Sequence, residues 1–287
     1  MSFPFPKHSR RFLIILSALI FSGCAVYAGF NYDQLYGRAE PQQRIRPGVT
    51  PVGQHYLTEV KPIIENRCVV CHACYDAPCQ LKLSSVEGID RGANKEKVYN
   101  GTRLLASNLT RMFIDAQSTA EWREKGFTPV LNERIQSPEA NTQAGVMARM
   151  LQLKQAHPLP NKKILDDSWD FSLDRNQQCA TIEEMDQYEQ DYPRWGMPYG
   201  LPQISDQEND TLMTWLAAGA PMAGVEPPAE ATLKKVSLWE RFLNQDSLKQ
   251  RLTSRYIYEH LFVSNLFFAD EKNPTFFKLV RSTTAPG

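Results

Sequence analysis

Residues 67–79 read RCVVCHACYDAPC, four cysteines and one histidine within thirteen positions. Thiols set this close together bind one another, a metal or a cofactor, so this stretch constrains the chain more than any other. The spacing Cys68-x2-Cys71-x2-Cys74-x4-Cys79 comes near an iron–sulfur run, but that run has three residues before its last cysteine and proline after it. Here the last gap is four and Gln80 follows. A zinc site wants two separated ligand pairs, and only Cys74 and Cys79 stand near enough to serve as the second. The segment CVVCH matches the attachment pattern of a c-type haem, in which two thiols hold the porphyrin and the adjacent histidine ligates iron. Cys68, Cys71 and His72 are therefore the expected cofactor-binding residues, with one covalent haem c per chain as the expected cofactor. The preceding GQHYLTEVKPIIENR places Tyr56, Val60, Ile63 and Ile64 on one helical face, suited to packing beside a haem edge.

A second axial ligand is expected from WGMPYGLPQISDQENDTLMTWLAAGAP, residues 195–221. Met197 stands on a loop ahead of SDQE, a capping box with Ser205 as N-cap and Glu208 reaching back. The helix that follows carries Leu212, Trp215 and Leu216 on one face and ends at Gly219, with Pro221 beyond. A methionine before a capped helix resembles the C-terminal part of class I cytochromes c, so His72 and Met197 form the expected metal-ligand pair. His55, His157 and His260 are rival ligands and read as structural, as do the other methionines. Of the remaining cysteines, Cys74, Cys79 and Cys179 are odd in number and allow at most one disulfide among them. Either of the first two joined to Cys179, or Cys74 joined to Cys79, satisfies the sequence.

The N-terminus adds a compartment. Lys7, Arg10 and Arg11 precede the apolar run FLIILSALIFS, then GCAVYAG. That order describes an export signal. Cleavage after Ala28 is the first reading. An uncleaved anchor over residues 12–30 and a lipoprotein at Cys24 stay open beside it. Each sends the rest of the chain to an oxidising compartment, where disulfides persist. Lys+Arg and Asp+Glu are both 32, so the chain lacks the basic excess of a nucleic-acid binder and no nucleic-acid partner is expected. The triplets NGT, NLT and NDT match the glycosylation pattern and read as chance.

The strings RCVVCHACYDAPCQLKL, NLTRMFIDAQSTAEWREKGF and WGMPYGLPQISDQENDTLMTWLAAGAP together resemble bacterial fatty acid cis/trans isomerase, and YDQLYGRAEPQQR and SRYIYEHLFVSNLFF are similar too. CxxCH is generic to cytochromes c, whereas CHACYDAPCQ and FIDAQSTAEW are much more specific. The resemblance implies a periplasmic, haem-containing enzyme. It would convert cis double bonds of unsaturated fatty acids or phospholipid acyl chains to trans without moving the bond, stiffening the membrane under stress. It carries over Cys68, Cys71 and His72 as haem-binding residues. The haem iron itself would be the catalytic group, with no catalytic side chain assigned. Family proteins continue beyond STTAPG, so the chain reads as an N-terminal portion of a longer polypeptide. The alternative is an electron-transfer c-type cytochrome or a haem module of a larger protein. The long insertion between His72 and Met197 separates the two, because small cytochromes need far less chain there.

The expected fold is mainly α. Residues 1–28 are the signal peptide and 29–50 a polar lead-in. Residues 51–224 form a cytochrome c-like haem domain with a large insertion. A linker is expected at 225–232, around GVEPPAEA, and 233–287 begin a second, incomplete helical domain. Within the insertion, one helix is expected from about Pro138 to Ala156, and LASNLTRMFIDAQ places its apolar residues at helical spacing. Tyr256, Tyr258, Phe262, Phe267 and Phe268 make the C-terminal helices aromatic-rich, suited to a core, a membrane surface or an interface.

Overall fold

A computed structural model describes residues 31–46, 50–74, 77–100, 103–172, 175–224, 227–272 and 274–283. The expected signal peptide lies outside the described residues. The fold is mainly α-helical, and the strands among the described residues are each two residues long. The chain divides into two compact units, Met1–Gly224 and Val225–Gly287.

In the first unit, residues 51–67 make one run of helix. It comprises α1 (Pro51–His55), a π-helical turn (Tyr56–Val60) and α2 (Lys61–Arg67). Pro51 occupies the first turn, where an N–H would have no partner, and the Thr50 side chain accepts from Gly53 N–H at 3.1 Å. Tyr56, Val60 and Ile64, spaced four apart, are buried in the core. The Tyr56 ring stands 6.0 Å from Trp215 of the last long helix of this unit. Three short helices begin at serine N-caps: α3 (Val86–Arg91) at Ser85, α4 (Thr119–Glu124) at Ser118 and α5 (Pro138–Gln143) at Ser137.

The helix expected over Pro138–Ala156 is two. After α5 the chain turns extended at Gly145, with φ −115° and ψ 118°, and α6 (Val146–Ala156) starts anew. A Cβ at Gly145 would lie 2.7 Å from the Asn141 carbonyl oxygen, so the break needs the missing side chain. Residues 105–117 are not helical either. Asp115 accepts from the Arg111 amide at 2.7 Å and from its guanidinium at 2.8 and 3.0 Å, while the Gln117 amide donates to the Phe113 carbonyl at 2.7 Å. These side chains compete with helix formation by closing the loop on itself.

Two further α-helices of the unit are α7 (Met185–Asp191) and α8 (Asp206–Ala217). Ser205 and Glu208 form a full capping box on α8, and Glu208 also takes the Arg67 guanidinium at 2.8 and 3.1 Å, tying α8 to α2. Leu212, Trp215 and Leu216 are buried, and Gly219 terminates the helix at φ +88°.

The strands pair as β1 (Ile45–Arg46) with β6 (Met222–Ala223), β2 (Ala93–Asn94) with β5 (Phe127–Thr128), and β3 (Tyr99–Asn100) with β4 (Arg103–Leu104). The β1–β6 pair is parallel and sets the segment at 44–46 against the chain that leaves α8. Arg149 of α6 joins α7 to the N-terminal segment through Glu189, Asp186 and the Tyr32 hydroxyl. The second unit holds α9 (Glu230–Leu243) and α10 (Leu248–Leu261). Leu238, Trp239, Leu248, Leu252 and Tyr256 on these helices are exposed.

Candidate functional site

The cysteine stretch follows directly on α2. Cys68 is half-buried, and burial pushes its thiol up to about 11, with Cys71 adding to the effect. Cys71 and Cys74 are exposed and unbonded. The His72 ring is 8% exposed, with Nδ1 3.1 Å from the Leu81 carbonyl oxygen. Burial holds its imidazole below the ordinary value, and the carbonyl opposes that shift. Met197 is half-buried, and its amide donates to the Met150 carbonyl at 3.1 Å. Trp195 and Tyr199, two residues to either side of it in sequence, have ring centroids 5.3 Å apart.

The expected haem c is corrected here. Among the described residues, no group of three or more His, Cys, Asp or Glu side chains could hold a metal ion. The cysteines that the structure joins are Cys79 and Cys179, with Cα atoms 5.6 Å apart and 100 positions between them in sequence. Cys68, Cys71 and His72 follow one another directly after α2, and Met197 stands on the irregular segment between α7 and α8.

A polar cluster that local sequence does not announce lies elsewhere in the first unit. Arg44, just before β1, is 5% exposed. Its Nη1 donates to Asp90 of α3 at 3.0 Å and its Nη2 to the Asn132 carbonyl. Its Nε has no hydrogen-bond partner. The Thr119 hydroxyl, in the first turn of α4, donates to the other Asp90 oxygen at 2.6 Å. Burial pushes the Arg44 guanidinium below its ordinary value, and Asp90 works against that. Arg123 grips Glu133 with two bonds of 2.6 and 3.0 Å and reaches the Asp90 carbonyl, bracing α3 against α4.

Arg44 and Asp90 line a cavity of about 450 Å³. Its apolar wall includes Met112, Phe113, Ala116 and Trp122. Phe113 is 64% exposed and has φ +65°, a backbone region that bulky residues rarely occupy. A sequence model of the family described as fatty acid cis/trans isomerase (CTI) matches residues 107–287, which takes in the whole loop from Met112 to Trp122. The chain belongs to the fatty acid cis/trans isomerase family. Comparison with curated proteins and with solved structures returns no match. The cysteine stretch lies outside the span matched to the isomerase family, whereas Met197 lies inside it.

Two strings singled out from sequence meet at this cavity. YDQLYGRAEPQQR ends in Arg44, and FIDAQSTAEW runs from Phe113 to Trp122. Each string was legible on its own. Their meeting was not, because Arg44, Asp90 and Thr119 are far apart in sequence and carry no shared spacing.

Proposed function

We propose that the protein isomerises cis double bonds of unsaturated fatty acyl chains to trans, without moving the bond along the chain. The observation that carries this reading is the family match over residues 107–287. A carbon–carbon double bond does not rotate at ordinary temperature, because rotation breaks its π overlap. A catalyst must lower that bond order for a moment and then let it return. The trans isomer is the lower in energy, so the conversion runs downhill and needs no nucleotide. What a protein supplies is a site that holds the chain in one geometry and keeps water from the reacting carbons.

The proposed substrates are free unsaturated fatty acids or the acyl chains of membrane phospholipids, met at the membrane surface. Among the described residues no helix is long and apolar enough to cross a membrane. The proposed compartment is the periplasm, reached through the basic and apolar N-terminal segment. The test is to incubate the purified protein with palmitoleic acid and, separately, with vesicles of a palmitoleoyl phospholipid. Trans content is followed by gas chromatography of the methyl esters, and bond position by mass spectrometry of their dimethyl disulfide adducts. Trans product with the bond unmoved supports the reading. Absence of trans product from both substrates, or a displaced double bond, contradicts it.

A further inference from the structure

We propose that the cavity beside Arg44 is where the acyl chain binds, with its oxygen-bearing head against the Arg44 guanidinium and its hydrocarbon along Phe113 and Met112. This rests on the isomerase reading for the kind of ligand, and on the geometry for the place.

The cavity's volume of about 450 Å³ falls in the range of small-molecule sites, roughly 300–1,000 Å³. Its wall divides by chemistry. Met112, Phe113, Ala116 and Trp122 give it an apolar side, and Arg44 with the carboxylates of Glu87 and Asp90 a polar one. An aliphatic chain with one polar end fits that division, whereas a sugar or nucleotide would leave the apolar side unmatched.

Arg44 makes the polar side specific. A guanidinium has five N–H donors in a fixed fork. Asp90 and the Asn132 carbonyl each take one nitrogen of Arg44, while Nε stays without a partner although the side chain is buried. Nε itself is enclosed, so the donors left for a ligand are the second N–H on each terminal nitrogen, which these bonds do not use, and they call for an oxygen acceptor. A carboxylate oxygen and an ester carbonyl share that chemistry. The apolar side shows the complementary oddity. Phe113 is held at φ +65° and mostly exposed, on a loop closed by its own Arg111–Asp115 and Gln117–Phe113 bonds. Backbone strain of this kind collects where ligands are gripped. No single element forms this wall: the chain before β1, α3, the 105–117 loop and α4 each contribute.

The test uses the full chain and reads binding without turnover. Palmitoleic acid, its methyl ester and the matching hydrocarbon cis-hexadecene compete against a fluorescent fatty acid, and vesicles of dipalmitoleoyl phosphatidylcholine form a separate arm. The acid or the ester should bind at least about tenfold more tightly than the hydrocarbon, as expected for a hydrogen bond to a charged donor. Arg44→Met, which removes every donor and the charge, should abolish that preference. Phe113→Asn suits the left-handed backbone, so it should fold normally and weaken all three ligands by about tenfold or more. Preference for the free acid over vesicles names the free fatty acid as source, and the reverse names the phospholipid. Either outcome supports the site. Unchanged binding in Phe113→Asn, or equal affinity for acid, ester and hydrocarbon in the unaltered chain, overturns it even if isomerisation proceeds. Site-dependent binding without trans product would instead remove the isomerase reading and leave the site standing.

Discussion

Lys154 shows how costly single polar groups are in this core. Its side chain is buried in α6, its Nζ has no hydrogen-bond partner, and the nearest aromatic face, Trp169, is 5.9 Å away. Burial pushes its amine below the ordinary value of 10.5. Between the folded and unfolded pKa values the unfolded chain binds the extra proton, so stability rises with pH across that window and is lost as pH falls through it. Lys154→Met should therefore be at least as stable as the unaltered chain at pH 7, with the difference shrinking as pH approaches 10.5. Urea titrations at several pH values read this directly. Thr119 is the opposite case, a polar group in full use. Thr119→Val removes the 2.6 Å bond to Asp90 and should cost about 1.5–3 kcal/mol in a denaturant titration. At this scale the CVVCH string was legible as a motif, but a local spacing does not say what meets it in space. Arg44 was legible only as the end of a string, since its partners come from two other elements.

The helices were the most legible elements, because their signals are local. Thr50, Ser85, Ser118, Ser137, Ser205 and Ser247 each accept a backbone N–H at a helix start. Ser205→Ala should destabilise the first unit by about 1 kcal/mol, measured by thermal or urea unfolding. Two elements departed from expectation for identifiable reasons. The start at Pro138 was legible, but no local signal marked Gly145, where the backbone approaches the Asn141 carbonyl too closely for a side chain. In residues 105–117 the helical spacing of apolar residues was outweighed by Arg111–Asp115 and Gln117–Phe113 bonds, which fold the loop on itself. The second departure matters for function, since it puts Phe113 on the cavity wall rather than on a helix face.

Across the first unit, the strongest long-range constraint is the Cys79–Cys179 bond, which closes a loop of 100 positions. A link of that span removes much of the unfolded chain's freedom. Cys179→Ser should cost roughly 2–5 kcal/mol under oxidising conditions and change little once reductant has opened the bond in the unaltered chain. Paired urea titrations with and without reductant give both numbers. The mainly helical character and family membership were readable from sequence, whereas the cavity required the chain to be folded. Its walls join residues from before β1 to α4, and one of them lies in the loop whose conformation the sequence misjudged.

The central claim is that this chain is a fatty acyl cis–trans isomerase, and the product assay tests it most directly. Purified protein is given palmitoleic acid and palmitoleoyl phospholipid vesicles, and the fatty acids are analysed for double-bond geometry and position. The account predicts trans product that accumulates with time, with its double bond at the original carbon. A wholly cis lipid pool after prolonged incubation with folded protein, or a trans bond that has moved, would contradict it.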